Sequence, residues 1–398
     1  MSVERFDFVI VGGGIFGCYA ALYLAGRGAK VAILEKEARL FQKASLVNQA
    51  RLHSGYHYPR SIATAAMSDE HKVRFTEEHR PFINQAFEKF YAIDRYGSFT
   101  DGQQFERFCE FLEIPCERVT EHNLFNFERL EALYRTEEHS FDPVLLGNYY
   151  RDRVENTAGI TVFKSTQIQQ AEQSGKEWVV TLQTLQTLQT VQTHQTLQTL
   201  QTHQTPQTPQ TLQTNTIINA TYSATNAINQ IFGVNELALT HEISEIAFVS
   251  SPQFGQRGLT VMDGPFGSIM PFGLSGLFSL SSVAYTHHKI SFDALPRFDC
   301  QIPELDPACR PEAPGICTEC PRRPASNATK MLAQMQQYFA EHVRFTQLFS
   351  YYTIKSKLKA SHIDDGRPTE ILLLRENPKF YCLFAGKINS IYEVEKIV

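Results

Sequence analysis

The chain has 398 residues, of which 42% are hydrophobic, and its formal net charge is −5. This length allows two domains, or one large two-part domain with a sizeable core. Charges of both signs are mixed along the chain, which argues against a nucleic-acid partner. The most apolar stretch, residues 269–285, is interrupted by Pro271 and several serines, so we expect strands there and no transmembrane segment. The polar start MSVERFD predicts no secretion signal and a cytoplasmic protein, with peripheral membrane contact left open.

The first predicted unit, residues 6–35, is a buried strand, a glycine turn, a helix and a second strand that ends in an acid. Gly12, Gly14 and Gly17 form the pattern G-x-G-x-x-G, which permits a tight turn, close backbone approach to a pyrophosphate and close packing of the helix. The helix N-terminus favours phosphate, and Glu35 is placed to bind a ribose hydroxyl. The unit therefore predicts a dinucleotide cofactor without a 2′-phosphate. A glycine-rich turn in some other α/β protein is the less favoured alternative.

This pattern resembles the FAD-binding fingerprint of flavoproteins with two dinucleotide-binding domains, in which it also lies at the N-terminus. The resemblance implies that FAD contacts the turn, the start of the helix and the end of the second strand. The residues so implied are Gly12, Gly14, Ile15, Phe16, Gly17, Glu35 and Lys36.

A polar segment, residues 48–61, follows and is crowded with Asn, Gln, Arg, His and Tyr. Functional groups concentrate in loops beside a rigid scaffold, although these side chains could also simply satisfy one another. The segment resembles N-S-G-x-I-H-x-G-x-Y-Y-x-P-x-S of L-2-hydroxyglutarate oxidases and dehydrogenases, members of the D-amino-acid-oxidase-like (DAO) superfamily. The matching residues are His53, Gly55, Tyr58, Pro59 and Ser61, and those that depart are Gln49, Ala50, Arg51 and His57. In that family the loop passes the flavin ring, which implies cofactor contacts from Asn48, Gln49, Ala50 and Arg51.

Residues 65–160 are predicted to be mostly helical, because Phe82, Phe87 and Phe90 have helical spacing and residues 105–112 form a second stripe. Asp142 and Pro143 then form an N-cap and first-turn pair for a further helix. That helix resembles the D-P-x-x-L-x-x-x-L helix of the same superfamily.

A threonine recurs at every third position from Thr181 to Thr214. This period matches neither helix nor strand, so we predict an expanded, disordered low-complexity loop. A functional repeat that binds a partner is the less favoured interpretation. The strand that follows, IINAT, resembles a strand of FAD proteins that ends near the cofactor, which implies contacts from Ala220 and Thr221. Tyr222 stands where that family usually has glycine.

Residues 240–292 alternate in polarity and carry turn glycines, which predicts an antiparallel sheet. Its position resembles that of the sheet that roofs the substrate cavity in the DAO superfamily. Asp263, His287 and His288 are candidate site residues there. Adjacent residues of a strand point to opposite faces, so at most one of the two histidines faces the cavity.

A cysteine-rich segment contains four cysteines within 21 residues. Four thiolates could hold a structural Zn²⁺, while free thiols or local disulfides are the alternatives. The residues concerned are Cys300, Cys309, Cys317 and Cys320.

Two C-terminal segments resemble glycerol-3-phosphate dehydrogenases of the same superfamily. Gly366, Arg367 and Pro368 resemble their G-x-R-P segment, in which the arginine helps to bind an anionic substrate. An arginine fork suits a carboxylate or phosphate, although a surface turn is the plain alternative. Residues 384–392 resemble the G-G-K-x-T-T-Y turn, which faces the flavin. The implied flavin contacts are Gly386, Lys387, Ile388 and Asn389.

The predicted fold is a DAO-like two-domain flavoprotein of the α/β class with additional antiparallel β-structure. Residues 1–64, 140–232 and 346–398 are expected to form a Rossmann-type FAD-binding domain. Residues 65–139 and 233–345 are expected to form a discontinuous substrate domain of helices and antiparallel sheet.

The leading functional hypothesis is an FAD-dependent dehydrogenase or oxidase that moves hydride from an anionic 2-hydroxy acid, amino acid or related small molecule to flavin N5. His53 is the expected base, with His57 second, since an imidazole titrates near neutral pH. Arg367 would anchor the anion and Lys387 would stabilise the reduced flavin. The electron acceptor is left open between oxygen, a quinone and a carrier protein. The rivals are a flavoprotein acting on a sugar or secondary metabolite, and a binding or assembly protein that retains FAD without dehydrogenase activity.

Overall fold

A computed structural model describes residues 3–60, 62, 65, 71–185, 189–193, 196–200, 210–305, 309–359 and 369–397. The first of its two large sheets contains the predicted N-terminal unit. Its parallel core runs β22, β14, β1, β2, β9, and antiparallel strands β10, β11 and β21 extend its edges. The strands of this sheet are β1 (Glu4–Val11), β2 (Val31–Leu34), β9 (Ile160–Phe163), β10 (Thr166–Ser174), β11 (Glu177–Thr184), β14 (Gln210–Asn219), β21 (Glu370–Glu376) and β22 (Lys379–Phe384).

Both faces of the parallel core are covered, which explains why β1 and β2 are apolar runs without alternation. On one face α1 and α4 pack on the strands, and Ile10 of β1, Ile33 of β2 and Leu146 of α4 are all fully buried there. On the other face Trp178, Phe232 and Phe380 form an aromatic cluster. The helices are α1 (Ile15–Ala25), α2 (Lys72–Glu78), α3 (Gly102–Phe111), α4 (Pro143–Asn156), α5 (Thr225–Ile231) and α6 (Ala328–Gln336).

The second large sheet is mixed and has the order β19, β15, β18, β17, β16, β5, β7, β6, with β20 also paired to β15. Helix α6 packs on it through Met331 and Met335. Its strands are β5 (Glu88–Asp94), β6 (Cys116–Arg118), β7 (Leu130–Thr136), β15 (Leu239–Ser250), β16 (Arg257–Met262), β17 (Gly267–Pro271), β18 (Phe278–Ser282), β19 (His287–Ser291) and β20 (Thr346–Leu358). A small third sheet joins β3 (Arg51–Leu52), β8 (His139–Phe141) and β4 (Ile83–Asn84).

Two of the predicted helices are confirmed. Residues 105–112 lie largely in α3, and Asp142 caps α4 as expected, since its Oδ1 accepts hydrogen bonds from the amides of Val144 and Leu145 at 3.0 and 2.9 Å. The helix predicted around Phe82, Phe87 and Phe90 is wrong, because this stretch forms β4 and β5. A short strand that is buried on both faces has no period of its own, so accidental helical spacing of aromatic residues cannot be told from a helix.

The threonine-rich segment also departs from the prediction of disorder. Residues 189–193 (β12) and 196–200 (β13) form a two-stranded antiparallel sheet. Threonine is β-branched, and strand propensity can therefore act even where the sequence period is three.

The pairing of β20 differs from the expected domain boundary at residue 346. β20 joins the second sheet through eleven residue pairs with β15, whereas β21 and β22 belong to the first sheet. Residues 346–358 therefore continue the expected substrate part.

Candidate active site

One large cavity of about 1200 Å³ lies where the carboxyl ends of β1, β2 and β14 face the second sheet. Open parallel sheets bind their ligands at this edge, because the loops that follow neighbouring strands meet there. The wall contains polar and charged side chains from both sheets. The parts of the chain that the structure describes contribute eight cationic and four acidic side chains to it.

The glycine turn has the geometry that a dinucleotide requires. Gly12 adopts a φ of +105°, a conformation that strongly favours glycine. Gly14 is the N-cap of α1, and the amide of Ile15 donates to Ser45 Oγ at 3.0 Å. Gly12, Gly14, Ile15 and Phe16 all line the cavity, so the N-terminus of an eleven-residue helix opens onto it.

Glu35 closes this end of the cavity. Its Oε2 accepts a hydrogen bond from the amide of Gly13 at 2.7 Å, and its Oε1 accepts one from the amide of Glu37 at 2.8 Å. Burial raises the pKa of Glu35 above its usual value. The carboxyl group is thereby fixed beside the glycine turn, where a ribose would lie.

The polar loop and the C-terminal turn meet at the other end. Lys387 Nζ lies 4.9 Å from the centre of the Tyr58 ring, and the His53 and Tyr58 ring centres are 6.0 Å apart. His57 completes this aromatic group. The residues of this region that line the cavity are Asn48, Gln49, Arg51, His53, His57, Tyr58, Gly386, Lys387, Ile388 and Asn389.

A buried charge network lies directly behind this loop. Arg51 and Lys89 both donate to Thr260 Oγ1, at 2.8 and 2.5 Å. Both cations also approach Glu138 Oε2, at 3.5 and 3.8 Å, while His53 Nδ1 lies 3.7 Å from Glu138 Oε1. Burial lowers the pKa of Lys89 well below its usual value, and the positive charge of Arg51 acts in the same direction as the second cause.

The second sheet supplies a cationic wall. Lys355 and Lys357 lie two residues apart on β20 and both line the cavity. Lys357 Nζ pairs with Glu242 Oε1 at 2.6 Å, and His287 Nδ1 lies 3.2 Å from Glu242 Oε2. Ser244 Oγ is 2.9 Å from the same imidazole nitrogen. Burial alone would raise the pKa of Glu242, but His287 and the two lysines together lower it.

A model of the family described as FAD dependent oxidoreductase (DAO) matches residues 7–239, more than half of the chain. The chain belongs to this family. It is therefore an FAD-dependent oxidoreductase, as the fingerprint and the flavin-side segments predicted.

Solved structures agree with this DAO assignment at the level of the fold. Glycine oxidase from Geobacillus kaustophilus is 15% identical and superposes with a TM-score of 0.65 over 98% of this chain and 92% of that one. The FAD-bound L-α-glycerophosphate oxidase from Mycoplasma pneumoniae is 16% identical, with a TM-score of 0.68 over 99% and 94%. The predicted two-domain architecture, with a Rossmann-type FAD-binding part, is thereby confirmed.

Curated relatives match shorter segments. The FAD-dependent monooxygenase FPY4 of Fusarium mangiferae is 36% identical over 92 residues, which are 23% of this chain and 25% of the relative. The FAD-dependent monooxygenase kojA of Aspergillus flavus is 33% identical over 153 residues, 37% of this chain and 34% of the relative. The matched segments thus span a quarter to a third of those proteins.

Most sequence-predicted cofactor residues of this DAO-family chain reach the cavity, including Lys36, Ala220 and Thr221. Two do not. Gly17 packs α1 against the glycine turn and β1. A Cβ on Gly17 would be 2.0 Å from the Gly12 carbonyl oxygen, so this glycine allows the helix to approach the turn closely. Ala50 is fully buried and is not one of the residues that line the cavity, and its amide donates to Asn48 Oδ1 at 2.7 Å. The contact of Ala50 with the cofactor stays a prediction.

The candidate catalytic and substrate residues have mixed outcomes. His287 lines the cavity while His288 pairs with Glu245 at 2.8 Å, so only one of the two histidines faces inward, as predicted. Asp263 lies at the cavity and binds Arg60 through both oxygens, at 2.7 and 2.9 Å. Arg367 lies outside the described residues.

The zinc prediction is not supported. Throughout the described ranges, which include all four cysteines, there is no group of three or more His, Cys, Asp or Glu side chains that could hold a metal. Cys300 and Cys317 pack against an apolar cluster around Phe298 and Tyr352. Burial raises the pKa of Cys317 to about 12.

The sequence reasoning missed the cationic wall. Thr353, Lys355 and Lys357 alternate along β20 and share the face that lines the cavity. The alternation was visible in the sequence YYTIKSKLK, but only the pairing of β20 with β15 brings it to the site. Glu138 and Lys89 were missed because their segment was expected to be helical.

No helix in the described parts of the chain is both long enough and apolar enough to cross a membrane.

Proposed function

We propose that this flavoprotein oxidises a small anionic substrate, a 2-hydroxy acid, an amino acid or a related alcohol, at the cavity between the two sheets. The observation that carries the proposal is the excess of cationic side chains on the cavity wall, eight against four acidic ones among the described residues. Two of these cations already pair with acids behind the wall, Arg51 with Glu138 and Lys357 with Glu242, and the diphosphate of FAD would offset further positive charge. Lys355 adds a positive charge to the same wall, which favours a substrate that carries a carboxylate or phosphate.

FAD would lie along the cavity with its adenosine half toward Glu35 and its ring toward the His53 loop and the Lys387 turn. The helix N-terminus and the glycine turn would hold the diphosphate. When bound, FAD supplies the hydride acceptor at its N5 atom.

The chain's own residues then have separate tasks. Lys355 and Lys357, which line the cavity from β20, would bind the anionic group of the substrate. His53 would take the proton from the substrate hydroxyl, since its imidazole lies on the cavity wall and is only partly exposed. Lys387 would place a positive charge near the ring, where negative charge collects on reduction.

Anaerobic reduction tests this proposal. Purified protein should be yellow. Some members of a panel of hydroxy acids, amino acids and polyol phosphates should bleach the flavin absorbance band at about 450 nm. Uncharged analogues of the active members, such as the corresponding amides, should bleach it much more slowly. A panel in which charged and uncharged members act alike would contradict the proposal.

The curated relatives favour one second candidate, because both carry the name FAD-dependent monooxygenase. A flavin monooxygenase takes two electrons from a nicotinamide, inserts one atom of O₂ into its substrate and reduces the other to water. Bleaching by NADH or NADPH, with none by the anionic panel, would favour this candidate. Bleaching by the panel without a nicotinamide supports the oxidation proposed above.

A further inference from the structure

The cysteine-rich segment covers one end of the cofactor cavity. We call residues 309–315 the strap. It follows an irregular path beside the end of β2, and Pro314 within it is buried. The strap residues that line the cavity are Arg310, Glu312, Ala313 and Pro314. Lys36, which follows Glu35 in the chain, bonds the carbonyls of Ala313 and Pro314, and this places the strap at the Glu35 end of the cavity.

Two lysines from the cofactor side hold the strap by its backbone. Lys36 Nζ donates to the carbonyl oxygens of Ala313 and Pro314, at 2.8 and 3.2 Å. Lys43 Nζ donates to the Pro314 carbonyl at 2.8 Å and pairs with Glu37 at 2.8 Å. Hydrogen bonds from ammonium groups to carbonyls are stronger than those between neutral groups. The strap is thus tied to the loop that follows β2.

A second set of contacts holds the segment from behind. Thr318 Oγ1 donates to the Tyr352 carbonyl at 3.0 Å and accepts from the Tyr352 amide at 2.8 Å. Arg322 Nε donates to the Cys300 carbonyl at 2.8 Å. None of Thr318, Tyr352 and Arg322 lines the cavity. The Thr318 bonds therefore tie the chain just after the strap to β20, at positions that do not line the cavity.

We propose that the strap is a cofactor-specificity element that encloses the adenosine half of FAD and makes the protein select FAD over FMN. FMN ends at its single phosphate and has no adenosine, so it would reach the glycine turn but not the strap. The enclosure gives the cysteine-rich segment a role in ligand selection that needs no metal.

The test measures the affinity of the apoprotein for FAD and for FMN by quenching of flavin fluorescence. Thr318→Val removes both hydrogen bonds to Tyr352 at a position off the cavity. Thr329→Val is the matched control, because Thr329 lies on the exposed side of α6 and bonds only Gln347 among the described residues. We expect Thr318→Val to weaken FAD binding about tenfold, with FMN affinity within about twofold of wild type.

A second variant separates the strap from direct contact by Lys36. Lys36→Met should also weaken FAD more than FMN, and the double variant should lose less than the product of the two single effects, since both substitutions release one element. Lys164→Met is the control, because Lys164 pairs with Glu155 at the surface. Equal weakening of FAD and FMN, or an unchanged FAD affinity in Thr318→Val, would overturn the proposal. Near-ultraviolet circular dichroism of each apoprotein checks that the variants are folded.

Discussion

A Cβ atom on Gly17 would lie 2.0 Å from the carbonyl oxygen of Gly12, so the first helix and the cofactor turn are in direct backbone contact. The contact fixes how the N-terminus of α1 approaches the diphosphate position. The three glycines therefore have different roles. Gly12 and Gly14 line the cavity, whereas Gly17 does not line it and allows close packing of the helix.

Gly17→Ala should therefore abolish or strongly weaken FAD binding, since the turn must move before the methyl group fits. Gly26→Ala, at the other end of the same helix, is the control. Gly26 has helical angles and an added Cβ would be 3.2 Å from the nearest atom, the Leu22 carbonyl oxygen. Flavin content after purification measures the effect. Equal flavin content in the two variants would show that the contact does not shape the turn.

His53→Asn should slow reduction of the flavin by a hydroxy-acid substrate about 10²-fold or more, because proton removal by a positioned base contributes that order. Stopped-flow absorbance under anaerobic conditions gives the rate. Bound FAD should stay at the wild-type level, since the variant keeps the loop and removes only the base. His342→Asn, at an exposed position, is the control. Loss of flavin with no change in the rate of the residual holoenzyme would assign His53 to cofactor binding instead.

Lys355→Met should raise the dissociation constant of an anionic substrate or inhibitor roughly tenfold, because a charge-assisted contact in a partly buried site is worth more than 1 kcal/mol. Binding of an uncharged analogue should change little. The measurement is the perturbation of the flavin spectrum during titration. Lys330→Met on the exposed face of α6 serves as control. A matching loss for charged and uncharged ligands would indicate a packing role for Lys355.

Lys36 should make stability depend on alkaline pH. Burial lowers its pKa from 10.5 to about 8, with Lys43 acting in the same direction and Glu37, Cys309 and Glu35 opposing. Between these two values the unfolded chain binds more protons than the folded chain, so the contribution of Lys36 to the free energy of unfolding rises with pH.

The apoprotein and its Lys36→Met variant, compared by urea unfolding at pH 7.5 and 10, provide the measurement. The wild-type value should gain about 1–3 kcal/mol relative to the variant over this interval. Other groups that titrate between pH 7.5 and 10 are present in both proteins, so their contributions cancel when the two free energies of unfolding are subtracted. A constant difference between the two proteins would mean that Lys36 keeps an ordinary pKa when folded.

Local sequence chemistry explains which parts of the site were predictable. The glycine turn, Glu35 and the Asp142 cap each depend on residues within about thirty positions, and their roles follow from backbone geometry and hydrogen bonding. The flavin-side loop and the Lys387 turn came from family resemblance. The structure brings these two segments together, because Lys387 lies over the Tyr58 ring, and their contact with the flavin stays a prediction.

The rest required tertiary pairing. β5 was mistaken for a helix because burial on both faces removes the polarity alternation that marks a strand. Lys355 and Lys357 belong to the site only because β20 lies beside β15, a pairing between residues 96 to 119 positions apart. The cysteines suggested zinc by spacing alone, while Cys300 and Cys317 pack against an apolar cluster.

Anaerobic reduction by charge-matched pairs of substrates tests the central claim most directly. Each pair consists of a carboxylate or phosphate and its uncharged amide, ester or alcohol, and the rate of bleaching near about 450 nm is compared for wild type and Lys355→Met. The proposed function predicts fast bleaching by an anionic member, little by its partner, and a charge preference that falls in the variant. Equal rates of bleaching by charged and uncharged members of a pair, or bleaching that requires a nicotinamide, would contradict the proposed function.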